Sequence, residues 1–121
     1  MTMARDPIVY IEDILQAAAR ARLFVEGFSM EAFAADLKTQ YAIVRALEVI
    51  GEAAKRVPVD VQATAPEIPW RAMAGMRDNL IHGYDEVNLE VVWRTVQDKV
   101  PEIEEPLRRL LQQLKVSGEE E

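Results

Sequence analysis

The stretch from Asp36 to Val57 carries two apolar faces at helical spacing, and no other feature constrains the fold as strongly. Ile43, Leu47, Ile50, Ala54 and Val57 make one face, and Ala42, Ala46, Val49 and Ala53 make a second face of small residues. A surface helix needs only one apolar stripe, so a helix with two is packed by neighbours on both sides. The spacing predicts a central helix from Asp36 to Val57, the longest segment of the chain.

The punctuation on either side is also helical. Asp6-Pro7 sets an N-cap before a proline at the first helical position, where the missing N–H costs nothing. Ile8, Ile11, Ile14, Leu15, Ala18 and Val25 recur at helical spacing up to Gly27, the natural stop. Ser29 caps a short turn containing Phe33. Pro58, Pro66 and Pro69 make residues 58–69 a loop or a broken helical turn. Pro69 opens the next helix, from about Trp70 to about Ile81, with Gly75 a weak point inside it and Gly83 its end. Asn88 caps another, with Leu89, Val92, Trp93, Val96 and Val100 on one side. That stripe continues through Ile103, Leu107, Leu110, Leu111 and Leu114, so Pro101 either kinks one long helix or starts a second. There is no β alternation and no internal repeat. The expectation is an all-α bundle of four to five helices over residues 1–116, followed by an acidic, disordered tail at 117–121.

Composition narrows the chemistry. Fourteen Lys and Arg against 21 Asp and Glu give a net charge of −7. Three of the negatives are Glu119, Glu120 and Glu121, leaving about −4 on the body, which argues against binding nucleic acid through bulk charge but leaves a local basic cleft open. A helical DNA-binding regulator is a poor fit, since no basic recognition helix is visible. Without cysteine, disulfides, Cys-ligated zinc, iron–sulfur clusters and thiol nucleophiles are excluded. A single histidine excludes a multi-histidine metal site within one chain, and no Glu-x-x-His pair suits a di-iron bundle. No metal or cofactor is expected. With no membrane-spanning apolar run and no signal peptide, the expected address is cytoplasmic, with no membrane partner.

The chemistry concentrates in Arg77-Asp78-Asn79-Leu80-Ile81-His82-Gly83-Tyr84. Arg77 and Tyr84 are two turns apart and fall within about 20° of each other on a continuous helix. His82 lies about 140° around from Arg77, so the pair converge only if the helix end unwinds or the arginine reaches across. Gly83 favours such an ending. Asp78 is four residues before His82 and can accept from the imidazole, holding its tautomer. A histidine and an arginine at a helix end are what metal-free phosphodiester cleavage requires. The histidine moves a proton near neutral pH, and the guanidinium meets charge building on the phosphoryl oxygens. RNA brings its own nucleophile, the 2′-OH. Attack needs a base and departure needs an acid, yet one chain offers one histidine. A two-fold dimer would offer two. The same three residues also fit a dipole-stabilising cation, a surface ion pair and a packed aromatic, and spacing alone leaves that alternative open.

Arg77-x4-His82-x-Tyr84 resembles the motif of HepT-type toxins, a branch of the HEPN (higher eukaryotes and prokaryotes nucleotide-binding) superfamily. The flanking blocks are similar too: Ile50-Gly51-Glu52-Ala53-Ala54-Lys55, Pro66-Glu67-Ile68-Pro69-Trp70, Gly75-Met76-Arg77-Asp78 and Val91-Val92-Trp93. The resemblance runs from Asp6 to about Leu114. It implies a dimeric, HEPN-like helical ribonuclease, paired in a type VII-like system with an MntA-like nucleotidyltransferase antitoxin and acting on tRNA or mRNA. It further implies that Arg77 and His82 are the catalytic pair at the dimer cleft. Tyr84 becomes the residue to which the antitoxin attaches AMP, setting phosphate charge where RNA phosphate must sit. One departure is Asp85-Glu86, where family members often carry an aromatic and one acid. Two carboxylates there oppose RNA binding.

Arg45, Glu48, Glu52, Lys55 and Arg56 form a polar stripe whose simplest reading is intrahelical ion pairing. Glu52 is also a candidate to orient Arg77, and Lys55, Arg56 and Arg71 are candidate RNA phosphate contacts. Trp70 and Trp93 read as packing or dimer contacts. The competing function is a catalytically silent helical partner or regulator of a nucleotidyltransferase, which keeps Tyr84 as a docking or modification point and cleaves nothing.

Overall fold

A computed structural model describes residues 6–81 and 88–120, and of Arg77, Asn79, Leu80, Ile81, Glu119 and Glu120 it describes the backbone. Every regular element among the described residues is helical: α1 (Pro7–Phe24), α2 (Met30–Ala35), α3 (Leu37–Arg56), α4 (Val59–Ala63), α5 (Trp70–Ile81), α6 (Leu89–Arg94) and α7 (Val100–Glu120), with a π-helical turn at Thr95–Lys99 between the last two. The expected all-α bundle is what forms. Its four long segments are α1, α3, α5 and the run from α6 through α7, with α2 and α4 as short connecting turns.

The caps explain most of the boundaries. The Asp6 carboxylate accepts from the Ile8 N–H at 2.9 Å, and Pro7 follows in the first turn. α1 ends at Phe24, and the chain turns through Gly27, whose φ of 81° lies in the left-handed region that favours glycine. Ser29 Oγ accepts from Ala32 N–H at 3.0 Å, opening α2. Asp36 occupies the N-cap of α3, but its carboxylate accepts from the Thr39 hydroxyl at 2.8 Å and caps no backbone N–H. Glutamines close two helix ends. Gln40 Nε2 donates to the carbonyls of Phe33 and Ala34 at the end of α2, and Gln62 Nε2 donates to Val57 and Ala54 at the end of α3.

The bundle is layered, with α3 between α1 and α5, and α1 between α3 and α7. Ile11, Ile14, Ile43, Leu47, Ile50, Val92, Val100 and Leu107 are fully buried at its centre. Phe33 on α2 is fully buried as well and meets Trp93 with ring centroids 5.5 Å apart, so Trp93 is a packing residue. The first face of α3 is sealed as expected. The second is not: Ala46 and Ala53 are buried, whereas Ala42 and Val49 are half-buried and line an open groove beside α1.

Pro101 starts α7 after a disruption. Lacking an N–H, it cannot donate to Gln97, and the preceding turn widens, with the Val100 N–H donating five residues back to Thr95. The result is one interrupted rod. Pro106 sits inside α7, which runs on to Glu120 and so carries helical backbone into the segment read as a tail. At 21 residues α7 is one longer than α3, which the spacing had made the longest segment.

A buried carboxylate ties α7 to α1. Glu104, 5% exposed, accepts from Arg22 Nη2 at 2.7 Å and from Arg108 Nη2 at 3.2 Å. The hydrogen bond to Glu104, and then its charge, raise the Arg22 guanidinium above its ordinary pKa. Nothing in the sequence reading anticipated this pair, although an acid inside the Val100–Ile103–Leu107 stripe is the signal that could have found it.

Candidate functional site

α5 carries the first half of the candidate motif, and the segment before it fixes where α5 begins. Trp70 is buried and donates through Nε1 to the Ala65 carbonyl at 3.0 Å, so it anchors the loop rather than presenting a stacking platform. Met73 N–H donates to Pro69 at 2.9 Å, closing the first turn. From there α5 runs along α3 to Ile81. Its backbone includes Arg77. His82, Tyr84, Asp85 and Glu86 lie outside the described residues, as does the Gly83 helix stop.

Packing of α5 on α3 brings two of the sequence candidates together. Lys55 Nζ stands 3.9 Å from Asp78 Oδ1, both groups well exposed. This contact joins the last turn of α3 to the residue that follows Arg77. Arg71 and Asp78, seven residues apart, share one side of α5 about 10 Å from each other along the axis. Arg71 is exposed and makes no ion pair with another described residue. Arg56 is engaged within its own helix, donating to Glu52 at 3.0 Å. The expected intrahelical pairing of the α3 stripe is therefore present for Glu52–Arg56, while Lys55 turns outward to α5.

Lys55 and Arg71 thus leave two exposed cations flanking the α5 stripe that holds Asp78, in a protein of net charge −7. An exposed ion pair contributes little to stability, so Lys55–Asp78 costs little to open when a competing anion arrives.

Residues 14–110 match the family model described as ribonuclease HepT-like. The chain belongs to the HepT-like ribonuclease family. This HepT-like chain is 44% identical over 108 residues to a Thermococcus cleftensis protein named probable ribonuclease HepT, an alignment covering 89% of this chain and 98% of that one. It is 40% identical over 111 residues to a provisionally named RNase of Caldanaerobacter subterraneus subsp. tengcongensis, covering 92% and 99%. A provisionally named RNase of Methanocaldococcus jannaschii is 41% identical over 108 residues, covering 86% and 89%. No solved structure matches significantly. Among the described residues, no helix is long and apolar enough to cross a membrane.

Proposed function

We propose that this HepT-like chain is a metal-independent endoribonuclease toxin of a type VII-like toxin–antitoxin pair, working through Arg77 and His82. The observation that carries the reading is that the family match over residues 14–110 contains Arg77-x4-His82-x-Tyr84 whole. The 2′-OH of RNA attacks the adjacent phosphorus, the bond to the 5′-oxygen breaks, and a 2′,3′-cyclic phosphate is left. One imidazole takes the 2′-OH proton, and a second returns a proton to the leaving 5′-oxygen. Arg77 meets the charge on the phosphoryl oxygens. Two imidazoles require two copies of a chain with one histidine, so the active form is a homodimer with both sites in one cleft.

The surrounding residues take supporting roles. Asp78 orients His82, with Lys55 close enough to hold that carboxylate in place. Glu52 orients Arg77. Lys55, Arg56 and Arg71 contact RNA phosphates, Arg71 most freely, because Arg56 is held by Glu52. A partner nucleotidyltransferase neutralises the toxin by transferring AMP to Tyr84, which adds negative charge and bulk at the RNA phosphate position.

Arg77→Ala and His82→Ala test the assignment. Each is expected to lower cleavage of a tRNA and mRNA pool by about 100-fold or more, with helicity retained. Undiminished cleavage by both variants overturns the pair. A folded, unmodified, dimeric wild type that cleaves nothing supports the silent-partner reading instead.

A further inference from the structure

Ala72, Met73 and Met76 lie on the opposite side of α5 from Arg71 and Asp78. α5 packs along α3, whereas α7 packs along α1. Between α5 and the rod that runs from α6 into α7 is a cavity of about 310 Å³, at the lower end of the range for small-molecule sites. Ala72, Met73 and Met76 make one wall, and Val91 with the π-helical turn makes the other. Met73 is buried and Met76 half-buried, while Ala72 and Val91 are exposed, so an apolar interior opens to solvent. In the register of α5, the Arg77 backbone is one turn beyond Met73, about 6 Å along the axis and about 40° around. Pro69, at the other end of the cavity, is eight residues or about 12 Å from Arg77. A nucleotide covers that range from its phosphate to the far edge of its base.

Two charges on the rod select the occupant. Lys99 and Glu102 are exposed and both line the cavity. They are three residues apart, a spacing that permits pairing, yet neither makes an ion pair with another described residue. The short connection between α5 and α6 makes them antiparallel neighbours, which sets Val91 toward the Arg77 end and Lys99 and Glu102 toward Pro69. An apolar slot that ends in one donor and one acceptor suits a flat base, its faces against methionine and its edge against the charges. Guanine offers O6 and N7 acceptors to a lysine, and neighbouring N1–H and N2–H groups to an acceptor-only carboxylate. Adenine, cytosine and uracil each carry one N–H-bearing group on that edge, so none engages both carboxylate oxygens at once.

We infer that this cavity takes an unstacked guanine of the RNA substrate, with Lys99 and Glu102 reading its edge and its phosphate at Arg77. This rests on the ribonuclease reading above and adds the base that sits beside the cut. Unpaired, splayed-out bases are what proteins read in RNA, because the A-form major groove is closed to side chains. Lys55 and Arg71, on the other side of α5, then serve the phosphates of neighbouring nucleotides.

Methionine-methyl NMR reads the cavity without relying on cleavage. GMP added to the wild type should shift the Met73 and Met76 methyl signals and leave Met30 unmoved, and UMP should bind about tenfold more weakly. Glu102→Gln should remove most of that preference. Ala72→Trp fills the cavity from an exposed position, so it should stay folded and lose both shifts. On an RNA pool, wild-type cuts should adjoin guanosine, and Glu102→Gln should flatten that preference. Ala72→Trp should raise KM about tenfold with kcat within about twofold, as loss of uniform binding does. Val116→Trp, at an exposed site on α7, should change neither. Unshifted Met73 and Met76 signals, or shifts that persist in Ala72→Trp, overturn the site and leave the ribonuclease standing. Equal binding of GMP and UMP overturns the edge readout. GMP binding beside cleavage indifferent to guanosine makes a free nucleotide the ligand and overturns the substrate-base assignment. A folded wild type that binds GMP here and cleaves no RNA keeps the guanine pocket and overturns the ribonuclease.

Discussion

Arg22 on α1 and Glu104 on α7, 82 residues apart in the chain, meet through two contacts, Nη2–Oε2 at 2.7 Å and Nε–Oε1 at 2.5 Å. The pair is asymmetric, because the Glu104 side chain is 6% exposed and the Arg22 side chain 45%. Removing Arg22 strands a buried carboxylate with Arg108 alone, whereas neutralising Glu104 frees a guanidinium that water can solvate. Arg22→Ala is expected to cost about 3 kcal/mol and Glu104→Gln about 1–2 kcal/mol. Urea midpoints measure both. Equal losses, or a larger one for Glu104→Gln, would contradict the asymmetry. The exposed Glu90–Arg94 pair at 2.6 Å should give under about 0.5 kcal/mol in the same experiment.

Gly75 sits inside the continuous α5 helix without a steric reason. A Cβ there meets nothing within 4 Å, and the backbone needs no left-handed conformation. Gly75→Ala should therefore stabilise the protein by about 0.5–1 kcal/mol, seen as a higher melting temperature. A lower one would mean that α5 requires flexibility at this point.

Asn88 secures the start of α6, its Oδ1 accepting from the Val91 N–H at 3.2 Å. Asn88→Ala should lower stability by about 1 kcal/mol, and Asn88→Asp should retain most of it, since either side chain caps. The ranking of the two melting temperatures is the check.

Lys55 separates stability from function. Its pair with Asp78 is exposed on both sides, so Lys55→Ala should leave the urea midpoint within about 0.5 kcal/mol of wild type. RNA affinity should fall, and the dependence of log Kd on log salt should flatten by somewhat under one unit. An unchanged salt slope would remove Lys55 from the RNA contacts.

The local signals were legible because each depends on neighbouring residues only. Asp6, Ser29 and Asn88 cap where the sequence places them, and Pro69 precedes α5 as expected. Asp36 was readable as the start of α3 but not in its bonding, because the Thr39 hydroxyl takes the carboxylate. Pro101 left two readings open, and the π-helical turn before it is a third outcome that periodicity cannot express. Long-range pairs were hidden for a different reason. Lys55–Asp78 exists because α5 packs along α3, and Arg22–Glu104 because α7 packs along α1. Of the site itself, the motif is legible in sequence, while the structure supplies the α3–α5 corner that flanks it.

Arg77 and His82 are proposed to cleave RNA through its own 2′-OH without a metal. The most direct measurement is the chemical identity of the 3′ ends released from labelled RNA in EDTA, by wild type and by His82→Ala. The wild type should release 2′,3′-cyclic or 3′-phosphate ends, and His82→Ala none. Ends bearing a 3′-hydroxyl, or cyclic ends produced equally by both proteins, would contradict it.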